Sequence, residues 1–274
     1  MPSHRPYSKD PNSPPSVTQI LGLLDKPGLS WGAARETAKF AVHHQSRWMD
    51  RPSDEATTIL YRHHRGVWDH RALLGTALHT INAGWCAGNT VRVADVVAEL
   101  RSRSPLWRRM NEQAIYAEIL PMADGLSRWW METQPETLSF ETVVRYPVPG
   151  LEYIGQTDWR VRLDGRTWLL DLKTTGNTKP GSAKYWDTWR LQLAAYRFAT
   201  ESVVYDDQDD ERGTMELPRV DRTGIVHLYG DGNCVLEPVR AEAREHQVFL
   251  QLRQVYGWIK GQGQRSGVPL EIPV

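Results

Sequence analysis

Residues 155–175 read GQTDWRVRLDGRTWLLDLKTT, and the break Asp164-Gly165 in their middle decides the fold. An Asp-Gly pair between two runs rich in Trp, Val and Leu is the signal of a β-hairpin closed by a two-residue turn. Such a turn sets Leu163 opposite Arg166, and from there the whole register: Trp159 faces Leu170, Asp158 faces Asp171, and Gln156 faces Lys173. Trp159, Val161 and Leu163 share one face with Trp168, Leu170 and Leu172, which makes it the core side. Asp158, Asp171 and Lys173 stand on the other. A slip of one residue would turn all six apolar side chains to solvent, so the register is well specified.

Opposed carboxylates on adjacent strands lie roughly 4.5–5.5 Å apart at Cβ and repel unless a cation sits between them. Two carboxylates around one point make an oxygen site for magnesium or manganese, which binds a phosphodiester and lowers the pKa of a bound water. Lys173, two residues on, is placed to orient that water or to neutralise developing charge. The plainer alternative is a pair of surface carboxylates balanced by Arg160 and Lys173.

The rest of the chain frames this hairpin. The 274 residues carry 40% hydrophobic and 24% charged side chains, enough to bury a core. No apolar run reaches the roughly 18 residues of a membrane span, and the polar, Pro-rich start lacks the apolar centre of a signal peptide, so no membrane partner and a cytoplasmic location are expected. Cys86 and Cys234 are the only cysteines, which excludes a disulfide scaffold and a four-cysteine zinc or iron–sulfur centre supplied by this chain alone. The 33 basic and 33 acidic residues cancel. Asp206, Asp207, Asp209, Asp210 and Glu211 concentrate acid in one stretch, however, so the remainder is net basic. Only seven of the cations are Lys, which favours a specific role for Lys173 as a compact ammonium.

Residues 1–16 read as a flexible arm. Residues 17–135 read as helical: two helices between Val17 and Ala41 broken at Lys26-Pro27-Gly28, a polar connection with His43, His44, His63 and His64, then helices at about 68–85, 90–101 and 107–132. Residues 136–262 carry the α/β core: strands at 138–148, 153–163 and 166–172, a helix at 183–200, an acidic loop at 206–211, a second hairpin at 224–229 and 233–239, and a helix at 241–260 whose Val248, Phe249, Leu252, Val255, Tyr256 and Ile259 are expected to pack on the core. Residues 263–274 form a tail. The expected fold is α/β, a mixed β-sheet flanked by helices with a helical N-terminal half, and residues 17–262 are expected to form one compact domain.

This chain resembles the PD-(D/E)xK nuclease superfamily, and within it the RecB-like exonuclease branch with its phage-encoded and CRISPR-associated members. Asp158 in Gly155-Gln156-Thr157-Asp158 is similar to the first acidic motif, and Asp171-Leu172-Lys173-Thr174-Thr175 to the DxK motif. Gln192 and Tyr196 match the QxxxY motif. Gly75-Thr76-Ala77-Leu78-His79 resembles the upstream histidine motif. The start Val17-Thr18-Gln19-Ile20-Leu21 and the closing strand and helix extend the likeness over about residues 17–262. The resemblance implies a restriction-endonuclease-like core and catalytic roles for Asp158, Asp171, Lys173, Gln192 and Tyr196. It also implies Mg2+ or Mn2+ held by His79, Asp158 and Asp171, and, for want of cysteines, no iron–sulfur cluster. The implied activity is metal-dependent DNA hydrolysis in phage recombination, replication or repair, with DNA and a recombinase or single-strand-binding protein as partners. The alternatives are a structure- or site-specific endonuclease and a non-catalytic nucleic-acid-binding module.

Several residues have two readings each. Gln192 and Tyr196 share a helix face and also fit a polar cap over Leu191, Leu193 and Phe198. Arg101, Arg103, Arg108 and Arg109 form either a solvated helix end or a phosphate-tracking strip. Trp186 and Trp189, with Lys179 and Lys184, are candidates for contacting DNA, the indoles by stacking unpaired bases. Trp129, Trp130, Trp159 and Trp168 read as core. Glu118 and Glu141 are candidate acids behind the metal ligands. The paired histidines 43–44 and 63–64 point about 100° apart on a helix, which argues against zinc.

Overall fold

The hairpin turn takes the backbone its sequence demands: in the computed structural model, which describes residues 13–24, 27–176, 187–206 and 210–265, Asp164 (φ 49°) and Gly165 (φ 71°) are both left-handed. They join β2 (Tyr153–Leu163) to β3 (Arg166–Thr175). The ladder runs from Leu163–Arg166 to Trp159–Leu170 in the expected register. There it stops. Asp158 and Asp171 do not pair as ladder partners, nor do Gln156 and Lys173. Instead the strands part, and Leu172 N–H donates to Asp158 Oδ2 at 2.9 Å.

The two strands have different outer neighbours. β3 pairs in parallel with β6 (Arg222–Tyr229), which sets Asp171 against Ile225 and Lys173 against His227. On the far side, β2 pairs with β1 (Glu136–Tyr146). There Glu141, level with Asp158, takes a left-handed backbone (φ 48°) that interrupts the ladder. With β4 (Glu201–Tyr205), β5 (Glu211–Glu216) and β7 (Cys234–Pro238) the sheet has the order β5-β4-β1-β2-β3-β6-β7. It is mixed, since only β3–β6 among these pairs is parallel.

The protein is thus a mixed α/β fold with a helical N-terminal half, as expected from sequence. Helices α1 (Val17–Leu21), α2 (Pro27–His43), α3 (Ser53–Cys86), α4 (Val93–Arg103), α5 (Pro105–Arg109), α6 (Glu112–Thr133), α7 (Asp187–Phe198) and α8 (Ala243–Arg265) complete it. One core lies between α3–α6 and the sheet, where Trp159, Val161, Leu163, Leu170 and Leu172 meet Leu78, Ile81, Ile119 and Leu126, with Trp168 partly buried at its edge. A second lies between the sheet and α1, α7 and α8 and includes Leu169, Tyr153, Leu193 and Phe249. The face expected to be polar is therefore covered too: Leu169 is fully buried on it. No helix among the described residues is long and apolar enough to cross a membrane.

Several boundaries differ from the sequence reading. α3 starts at Ser53, so His63 and His64 lie within it, and His63 stacks on Phe40 of α2 at 4.0 Å between ring centroids. The single helix expected at 107–132 is two: Asn111 Oδ1 caps α6 by accepting from Gln113 N (2.8 Å) and Ala114 N (3.3 Å), while Ser104 and Pro105 start α5. Strands β4 and β5 flank the acidic stretch 206–211, of which residues 207–209 lie outside the described residues and Glu211 is the first residue of β5. On α8, Phe249 and His246 are buried, whereas Val248, Val255 and Ile259 are exposed.

Helix α6 rests directly on the β6–β7 turn. A Cβ added at Gly125 would stand 2.1 Å from the carbonyl oxygen of Gly232, which also accepts from Arg128 Nη2 at 3.0 Å. Gly125→Ala is therefore expected to cost about 1–3 kcal/mol in chemical denaturation. Gly66→Ala is the control: it lies on the open surface of α3 with nothing within 4 Å of its Cβ position, and it should be neutral or stabilise by up to about 1 kcal/mol.

Candidate active site

The fork between β2 and β3 opens into a cavity of about 330 Å³. Its walls bring together His79 from α3, Gln156 and Asp158 from β2, Asp171 and Lys173 from β3, Trp189, Gln192 and Tyr196 from α7, and Thr18 and Leu21 from α1. Residues separated by more than a hundred positions in sequence thus share one space. The catalytic and metal-ligating candidates named from sequence all line it.

Each arrives by a local device. Gly155 lets α7 approach the sheet: a Cβ there would lie 2.6 Å from Tyr196 Cε1. Tyr196 is thereby seated against β2, and its hydroxyl accepts from Gln192 Nε2 at 3.2 Å. Gly75 brings α3 past β3, its Cβ position 3.4 Å from Thr174 Oγ1, so that His79 one turn later reaches the fork. Its Nδ1 lies 3.6 Å from Asp158 Oδ2. The capping box of Ser16 and Gln19 starts α1, and Ser16 bridges to Ile154, which holds Thr18 and Leu21 against the cavity.

Electrostatically the two acids are not equivalent. Asp171 is 2% exposed. Burial pushes its carboxyl up to about 6, with Asp158 pushing the same way and Lys173 pulling back. Lys173 Nζ is in contact with Asp171 Oδ2. Burial disfavours its charge, yet Asp171 and Asp158 outweigh that and raise its pKa, so Lys173 is a cation at neutral pH and not a base. Behind it, His227 is buried, with Glu237 at 3.6 Å and the Trp189 ring edge-on at 5.7 Å. Burial first and Lys173 after it lower the His227 pKa against the pull of Glu237, so this imidazole is neutral. Sequence reasoning missed His227, whose place beside Lys173 exists only through the parallel β3–β6 register.

The donor set of two carboxylates and one imidazole fits a hard divalent cation. Among the described residues no three His, Cys, Asp or Glu side chains already converge on one point. Lys173 Nζ lies against Asp171 Oδ2, so a cation between the acids requires that ammonium to give way.

Other candidates fall elsewhere. Arg101 pairs with Glu112 and donates to the Trp107 carbonyl, and Arg103 pairs with Glu99 at 2.9 Å, so the acids that answer this run come from outside it. Arg108 and Arg109 are exposed at the end of α5. Glu118 accepts from His70 Nε2 at 2.9 Å, whose Nδ1 accepts from Trp107 Nε1; His70 and Trp107 are buried, Glu118 is exposed, and none of the three lines the cavity. Glu141 bonds Gln156 at the rim of the cavity. Trp129 and Trp159 are core, and Trp130 stacks on Trp159 at 5.0 Å. Lys179, Lys184 and Trp186 lie outside the described residues.

No protein-family model matches this chain, and no curated protein matches it. Among solved structures, the crystal structure of SSO0001 is similar over 68% of this chain and 84% of its own, at 16% sequence identity and a TM-score of 0.33.

Proposed function

We propose that the fork is the active site of a metal-dependent phosphodiesterase acting on DNA, an exonuclease. The observation that carries the reading is the single cavity in which Asp158, Asp171, Lys173, His79, Gln192 and Tyr196 meet. Nothing in core packing requires a Lys contacting a buried Asp there, and a buried carboxyl held away from its ordinary pKa costs stability that a functional site accounts for.

A divalent ion held by Asp158, Asp171 and His79 would supply charge for a phosphate oxygen and acidity for a water. The chain's own groups do the rest. Leu172 N–H fixes the Asp158 carboxylate by its hydrogen bond to Oδ2, leaving Oδ1 for a ligand. Lys173, protonated, sets a single ammonium beside Asp171, where it holds the attacking water or offsets charge on the phosphate as it becomes five-coordinate. Gln192 and Tyr196 wall the opposite side and present an amide and a phenol to the strand. Leu21 and the partly buried Trp189 restrict bulk water.

Incubating the protein with linear and closed circular DNA in magnesium, manganese or EDTA tests the reading. Metal-dependent loss of the linear form alone is the expected result. Nicking of the circle would make the protein an endonuclease, and no loss of either would leave a non-catalytic binding module.

His79 gives a separate prediction. His79→Ala is expected to lose about tenfold or more in rate at low metal and less at saturating metal. Metal should also raise the melting temperature of wild type more than that of the variant. Identical metal dependence in both would reduce His79 to a packed helix residue and the site to two carboxylates.

A further inference from the structure

A groove of about 820 Å³ runs between α3–α4 and the sheet, with Ala83, Ala87 and Val91 on the helix side and Phe140, Val203 and Met215 on the strand side. It shares a wall with the cavity at the fork: Gln156 lines both, and Thr80 on its wall follows His79. At that junction the left-handed Glu141 turns its carboxylate onto Gln156.

The one cation among the described lining residues is already matched. Arg92 forks onto Asp95 with both bonds at 2.8 Å, and Glu99 takes Arg103 at 2.9 Å. Among the described residues its walls therefore offer no uncommitted cation, and their acids repel phosphate. Flat, uncharged groups with polar edges fit instead: the walls are mostly apolar, with Phe140 36% exposed and hydroxyl and amide groups such as Thr142 and Asn89 between. Gln156, two residues before Asp158 on β2, is the wall that the groove and the cavity share.

We infer that the groove receives unpaired bases of the substrate strand beside the scissile phosphate, so that the protein selects single-stranded over duplex polynucleotide; this rests on the phosphodiesterase reading above. In a duplex those bases are stacked and paired, and entering the groove requires opening them. Stacking on an aromatic wall is tolerant of sequence, so the selection is by strandedness and not by base identity. An apolar protein segment would match the walls equally well, but it has no reason to run into the catalytic cavity.

The test uses the full chain and three substrates: a single-stranded oligodeoxynucleotide, the blunt duplex of the same sequence, and methyl p-nitrophenyl phosphate, a phosphodiester without bases. The single strand should be cleaved with kcat/KM at least about tenfold above the duplex. Phe140→Ala, which removes the stacking ring, and Ala83→Trp, which fills the groove, should each raise KM for the single strand by about tenfold and leave the small ester unchanged. Equal kcat/KM on single strand and duplex overturns the inference. Unchanged KM in both variants also overturns it and leaves the groove to an apolar protein segment, and a parallel loss on the small ester overturns it by making the effect a general disturbance. Wild type that cleaves none of the three overturns the phosphodiesterase reading itself, a result distinct from cleavage without groove dependence.

Discussion

Asp171→Asn should lower DNA hydrolysis by at least about a thousandfold while making the metal-free protein more stable at neutral pH. The loss follows from removing a charged ligand at the point where a phosphate is to be bound and activated. The gain follows from linkage. The folded carboxyl titrates near 6, and an unburied one near 3.8. Between those values the folded state holds a proton that the unfolded state has released, so wild-type stability falls as pH rises through that window and stays lowered above it. Asparagine does not titrate. The melting-temperature gap between variant and wild type, measured in EDTA, should therefore be small near pH 4, open towards pH 6 and persist at pH 7. A variant that melts far below wild type at all pH values would make Asp171 structural.

Lys173→Arg should be nearly as damaging, by about a hundredfold or more, although the charge is kept. Lys173 Nζ contacts Asp171 Oδ2 from a side chain that is 25% exposed, and its pKa is raised, so it meets that carboxylate as a compact cation. A planar guanidinium in a cavity of about 330 Å³ fills the space that a water and a phosphate oxygen need. Steady-state kinetics at saturating metal checks this. Wild-type kcat in the arginine variant would reduce Lys173 to a source of positive charge.

How much of this was legible in the sequence depends on how local each cause is. The β2–β3 turn was, because two adjacent left-handed residues need Asp-Gly, and the alternation around it fixes the register. The second hairpin was legible from its glycines: it turns at Gly230-Asp231-Gly232, where Gly232 has φ 86°. The fork was not. Asp158 and Asp171 part where β3 keeps its parallel pairing with a strand more than fifty residues on and where Glu141, level with Asp158, takes a left-handed backbone. Periodicity carries no trace of either. Strands β4 and β5 were hidden by the acidic run between them, and the first half of α3 by its polar, His-rich composition. The division between α5 and α6 was legible in principle, since Ser104-Pro105 and Asn111 are both start signals. Arginines 101 and 103 are answered by acids just outside their run, Glu112 and Glu99, which the run itself does not display.

The fork is a nuclease site only if its groups hydrolyse phosphodiester bonds. The most direct measurement is the release of acid-soluble nucleotides from linear DNA by wild type and Asp158→Asn, purified side by side, with magnesium and with EDTA. Wild type should degrade the DNA with magnesium alone, and the variant, folded and of similar melting temperature, should release at least about a thousandfold less. Release by the variant at the wild-type rate, or by wild type undiminished in EDTA, would contradict it.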